Sequence, residues 1–200
     1  MIEQTLMNGR IGIKQRHCET CSQCCRLLSI DALQKPAGEW CKHCEPGAEG
    51  CTIYQKRPEE CSTFHCDWRL SEHLGSEWFP QKSKLIVVSN SAANRIDIHV
   101  DPNTPTRWRE EPYFSQIKLW SVLGAEHQKQ VIVYIKNRAI VVLPNKEVDL
   151  GHFGPTDHVV IGEKQSFEGR EWCAYVVPID QIPFDERDRL VKKQANGRDV

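Results

Sequence analysis

Residues 18–66 read CETCSQCCRLLSIDALQKPAGEWCKHCEPGAEGCTIYQKRPEECSTFHC. This stretch holds nine of the chain's ten cysteines, in the order Cys18-x2-Cys21-x2-Cys24-Cys25, Cys41-x2-Cys44, Cys51, Cys61 and Cys66. His17, His43 and His65 each stand directly beside one of them. A single buried cysteine behaves as a small apolar residue. Nine in so short a stretch need another reason, and the choices are disulfides and metal.

Composition separates those choices. The chain has 200 residues, 40 % of them hydrophobic, with six Trp, enough for a packed core. No apolar run approaches the roughly 20 residues of a membrane-spanning helix. The first seventeen residues are polar and lack the apolar segment of a secretory signal. A cytoplasmic location is therefore expected, where structural disulfides are rare. An odd nine also pairs badly, so metal is the expected reason. The net charge is -1, and residues 1–70 carry nine basic and nine acidic side chains. No basic surplus points to nucleic acid. The expected partners are metal ions, with neither nucleic acid nor membrane.

The spacing of the cysteines refines the expectation. On a helix, Cys18, Cys21 and Cys25 share one stripe, and Cys24 lies about 100° away from Cys25. That predicts two metal centres or one multi-metal centre, the alternative being that one of the adjacent pair is a packed thiol. Lys35-Pro36-Ala37-Gly38 is a turn signal. Cys41-Lys42-His43-Cys44 is a C-x2-C turn of the kind that presents two thiolates to one ion. A thioredoxin-like redox motif would need a βαβ setting, which is not visible. Residues 45–50 read as a loop. Pro58-Glu59-Glu60 reads as the first turn of a helix, whose positive end would favour a Cys61 thiolate. Arg57 is expected either to neutralise clustered thiolates or to lie on the surface. Cys18, Cys21, Cys24, Cys25, Cys41, Cys44, Cys51, Cys61 and Cys66 are the expected metal ligands.

The order Cys18-x2-Cys21-x2-Cys24-Cys25, Cys41, then Cys51-x2-Tyr54-x2-Arg57-Pro58-x2-Cys61-x2-Phe64-x-Cys66 resembles the zinc- or iron-chelating family named after its CxxCxxCC motif. The resemblance covers about residues 18–68, and it implies metal chelation by the cysteines. Flagellin lysine N-methylase shares a cluster of this type, which implies a more distant, methylation-linked alternative. Zinc held structurally by four thiolates and an iron–sulfur cluster are both open readings. Cys24 is followed by Cys25 and by no Cys-Pro pair, unlike the bacterial ferredoxin run. A metal-dependent or redox enzyme, with its chemistry in the C-terminal unit or at an open metal position, is the alternative class, although that unit shows no phosphate loop and no nucleophile elbow.

Beyond Trp68 the composition changes. Residues 84–89 and 95–100 read as a hairpin, with Asp97 and His99 on a wet face and Ile96, Ile98 and Val100 on a buried one. Tyr113, Phe114, Ile117, Trp120 and Leu123 recur at helical spacing, with Pro112 at the start and Gly124 as the stop. Residues 131–135 and 139–143 read as a hairpin turning at Asn137. Residues 159–162 and 172–177 are further strands. Cys173 is expected to be a core thiol, while His152, Asp157 and His158 are expected in a loop. Residues 11–13 and 184–193 are expected to form a short strand and a short helix. The fold class expected is α+β: a small irregular metal-folded cysteine module (1–70), then a mainly antiparallel sheet with one substantial helix (71–183), then a charged tail (184–200). Too few apolar side chains occupy the module for it to fold on a core alone, so metal should supply much of its folding free energy.

Overall fold

A computed structural model describes residues 16–18, 21–46, 50–154, 156–166 and 169–181. The strand expected at 11–13, the helix expected at 184–193 and residues 47–49 of the expected loop lie outside the described residues.

The fold is α+β, with a mainly antiparallel sheet and one substantial helix. The cysteine-rich part carries short elements: α1 (Gln23–Leu27), β1 (Cys44–Glu45), β2 (Gly50–Cys51), α2 (Glu59–Ser62) and α3 (Asp67–Leu70). After α4 (Pro80–Ser83), the five-stranded sheet runs in the order β3 (Leu85–Asn90), β4 (Arg95–Val100), β5 (Gln130–Ile135), β6 (Arg138–Val142), β7 (Glu147–His152). Helix α5 (Tyr113–Ala125) connects β4 to β5, which is why that one pair is parallel. Strands β8 (Asp157–Ser166) and β9 (Gly169–Pro178) form a separate long hairpin. Strand β7 is a further element that its short, mixed sequence did not announce. Among the described residues, no helix is long and apolar enough to cross a membrane.

Both expected hairpins in the sheet are present. In the β5–β6 turn the left-handed residue is Lys136 (φ 54°) rather than Asn137. The Asn137 side chain instead meets His152 Nδ1 at 3.0 Å. The helix stop also differs from expectation. α5 runs through Gly124, where a Cβ would stand 2.9 Å from the Lys129 carbonyl oxygen. Glycine serves there to let the returning chain approach.

Two apolar layers flank the sheet. On one side Leu85, Val87, Ile96, Ile98, Val100, Val131, Val133, Ile140 and Val142 pack with Trp108, Tyr113 and Ile117, and with the partly buried Phe114 and Trp120. Leu123, expected in this stripe, is 56 % exposed and points outward with Leu119 and Val122. On the other side Ile132, Tyr134, Ala139, Val141 and Leu143 are covered by Val148 and Leu150 of β7 and by Val159, Ile161, Trp172 and Ala174 of the hairpin.

That second layer overturns the wet face expected on β4. Asp97 is buried and paired with Arg95 at 2.9 Å. The His99 ring stacks on Tyr134, 5.3 Å between centroids, and burial holds its pKa down at about 4. Alternation along β4 is present, but both faces are covered. Cys173 is corrected too: Trp172 and Ala174 face the core, and Cys173, between them, is partly exposed with its Sγ donating to the Gly162 carbonyl at 3.4 Å. His152 and Asp157 lie on β7 and β8, and His158 is buried on β8, so none of the three sits in the expected loop.

Contacts run across position 70. Asp67 accepts from the backbone N–H of Ser89 at 3.0 Å and from its hydroxyl at 2.6 Å, docking α3 on the edge strand β3. Trp68 packs against the first apolar layer and on Phe79. Arg26 of α1 pairs with the buried Asp101 at 2.9 Å.

Candidate metal centre

Short-range hydrogen bonds place the cysteines. The Cys21 N–H donates to the Cys18 carbonyl, closing a turn, and the Cys25 N–H donates to Ser22. Helix α1 begins only at Gln23, so Cys18 and Cys21 precede it and the expected single helical stripe does not form. Cys41 N–H donates to the Cys25 carbonyl at 2.9 Å, which lays the C-x2-C segment beside α1. Cys44 N–H then closes on the Cys41 carbonyl at 3.0 Å. Cys44 and Cys51 face each other across the β1–β2 ladder. Cys61 lies in α2, which is tied to the segment after α1 because Glu60 accepts from the N–H groups of Asp31 (3.3 Å) and Ala32 (2.8 Å). Cys66 is the residue before α3, whose docking on β3 fixes it.

All ten cysteines are free thiols. Cys41 is buried, Cys18 is exposed, and the rest are partly buried. Cys24 is the common neighbour. Its charge acts on Cys21, Cys25, Cys44, Cys61 and Cys66, which arrive from separate segments of the chain. The adjacent thiols Cys24 and Cys25 act on each other, which lowers the pKa of Cys24 and raises that of Cys25. Burial pushes Cys21 and Cys66 up to about 11, against backbone N–H bonds that pull the other way. Cys44 is raised by burial. Cys61 is raised by burial and by the Glu60 charge, so the thiolate expected at the start of α2 is not favoured. The helix has only four residues, and burial is the larger of the two effects.

The donor chemistry fits a thiophilic ion. The geometry is not closed around one: among the described residues, no group of three or more His, Cys, Asp or Glu side chains stands ready to hold a metal. The neighbouring histidines add little to the donor set. His65 Nδ1 is 2.5 Å from the Phe64 carbonyl oxygen, and His17 is exposed. Arg57 lies over the Tyr54 ring at 3.9 Å.

Two residues that spacing did not single out belong to this site. Lys35, read as part of a turn, is buried beside α1. Arg26, next to Cys25, carries the ion pair to Asp101 and lies 5.2 Å from the Trp40 ring. Neither has a signal in the local sequence, because lysine and arginine are ordinarily exposed. A groove of about 390 Å³ lies elsewhere, between Arg109, Arg138, Glu147 and Asp149, and no cysteine lines it. Its arginines are already ion-paired with those carboxylates. No family model, no curated protein and no solved structure matches this chain.

Proposed function

We propose that this is a metal-binding cysteine-cluster protein that chelates zinc or iron, the iron either as ions or in an iron–sulfur cluster. The ligands are drawn from Cys18, Cys21, Cys24, Cys25, Cys41, Cys44, Cys51, Cys61 and Cys66. The observation that carries the reading is that backbone contacts bring free cysteines of separate blocks side by side, Cys41 bonded to Cys25 and Cys44 paired with Cys51. The ordered cysteine blocks, which resemble those of the CxxCxxCC family, point the same way, and unpaired thiols accord with a cytoplasmic setting.

Thiolate is the ligand form, so each cysteine that binds must release its proton. Burial makes that harder for Cys21, Cys44, Cys61 and Cys66. Loading therefore strengthens with rising pH. The thiols are neighbours without being in ligand geometry, so binding draws them the remaining distance and its free energy becomes folding free energy. A bound ion supplies Lewis acidity where a position stays open, and an iron–sulfur cluster supplies electron transfer. Cys41 and Cys44, hinged on one turn, are suited to one ion.

The test is elemental analysis with a visible spectrum on protein purified without oxygen. Zinc or iron at one or more per chain is expected, colourless for zinc and coloured for an iron–sulfur cluster. A folded, metal-free protein with disulfides among these cysteines refutes the proposal.

A further inference from the structure

Cys44 and Cys51 stand opposite each other in the β1–β2 ladder, and Glu45 stands opposite Gly50. His43 and Thr52 continue that register by one pair. There the Thr52 N–H donates to the His43 carbonyl at 2.9 Å, and the Thr52 hydroxyl donates to the same carbonyl at 3.2 Å. Hydrogen-bonded and non-hydrogen-bonded pairs alternate along an antiparallel ladder. A bonded His43–Thr52 pair therefore makes Cys44–Cys51 a non-hydrogen-bonded one. In such a pair the Cα atoms are about 4.5 Å apart and the side chains lie together on one face. A disulfide needs a Cα separation of roughly 4.4 to 6.8 Å, so the ladder holds these two residues within its reach.

Both are free thiols, and both are partly exposed, so a small oxidant can reach them. Cys41, the other cysteine bonded to Cys44 through the backbone, is buried. The ladder thus favours Cys51 over Cys41 as the partner of Cys44. Thiolate is at once the metal ligand and the nucleophile. A disulfide sulfur carries no charge to offer an ion.

Resting on the metal-binding reading, we propose that Cys44 and Cys51 are an oxidation site, where a peroxide joins them in a disulfide and the centre thereby loses two ligands and releases its ion. One thiolate attacks hydrogen peroxide, the O–O bond breaks, and a sulfenic acid forms while the departing oxygen leaves as water after taking a proton. The facing thiolate then attacks that sulfur, the S–O bond breaks, and a second water leaves. Two electrons pass from the two sulfurs to the peroxide, and zinc keeps its oxidation state. A dithiol reductant reverses the step by thiol–disulfide exchange.

The experiment treats full-length wild type, reduced, loaded with zinc and freed of excess reductant, with hydrogen peroxide added in steps. Released zinc is read with a chromophoric chelator. Samples are quenched by alkylation, and their disulfides are mapped by mass spectrometry. The first disulfide to form should join Cys44 to Cys51, zinc release should rise in step with it, and a dithiol should restore both thiols and binding. The wild-type map decides the pairing, so no variant that loses a ligand is needed. A first disulfide between other cysteines, or zinc release that precedes the Cys44–Cys51 link, overturns the assignment. Wild type that takes up no zinc overturns the metal reading and the release step with it, while the same map on the reduced, metal-free chain still accepts or rejects the pair.

Discussion

Arg26→Met should destabilise the protein by about 3 kcal/mol, the low end of the range for breaking a buried ion pair. The arginine and aspartate of this pair are 13 % and 6 % exposed and 2.9 Å apart. Removing the guanidinium leaves the Asp101 carboxylate buried, with the Asn103 backbone N–H still donating to it at 2.9 Å. That bond and the slight exposure of Arg26 place the cost at the low end. For a chain of this size each kcal/mol moves the midpoint by about 2 to 4 °C, so Tm should fall by roughly 6 to 12 °C. Arg26→Met with Asp101→Asn removes both charges and should recover most of the loss. The assay is urea and thermal unfolding of the reduced, metal-loaded protein, with all four members of the double-mutant cycle. Because Arg26 follows Cys25 and Asp101 follows β4, the cycle also measures how firmly the cysteine-rich part is seated on the sheet. A single mutant within about 0.5 kcal/mol of wild type, the range of ordinary surface changes, would refute the buried pair and the docking inferred from it.

Further outcomes follow from the same structure. Cys21→Ser should lower bound metal measured by elemental analysis, because a hydroxyl replaces a thiolate, whereas Cys173→Ala, on the outer face of β9, should leave metal unchanged and cost less than about 1 kcal/mol. Equal metal loss from both would bring Cys173 into the site. His99 is held at about 4 by burial and by Arg95, below its ordinary 6.5, so it is neutral when folded. Its contribution is complete above pH 6.5 and is lost as pH falls toward 4, by about 2 kcal/mol after allowing for its partial exposure. Urea midpoints at pH 7 and 4.5 should show that loss in wild type and a shallower one in His99→Gln; identical losses would assign the acid sensitivity to other groups. Chelation under reducing conditions should raise amide exchange in residues 21–46 and 50–66 before it does so in β3 to β6, which have their own apolar layers. A uniform rise would abolish the proposed boundary near residue 70.

The chain's local patterns were enough to read much of this protein. Strand and helix periods gave the α+β class, both sheet hairpins and α5, because each depends on residues within one element or one turn. The cysteine spacing marked the candidate site in the same way, since C-x2-C places two thiols on one turn whatever surrounds it. Tertiary structure decided what covers each surface. Asp97 and His99 alternate with isoleucines as exposed residues would, yet Asp97 is buried against Arg95 and His99 stacks on Tyr134 of the next strand. Leu123 keeps helical spacing with the core residues but lies beyond the arc that the sheet covers. Cys173 faces away because the register of β9 gives the core to Trp172 and Ala174. The same holds at the site. Cys41 comes to lie beside Cys25, and Lys35 is buried, because the chain between Ile30 and Cys41 folds back along α1. Burial is a property of what arrives from elsewhere in the chain, and one-dimensional spacing carries no record of it.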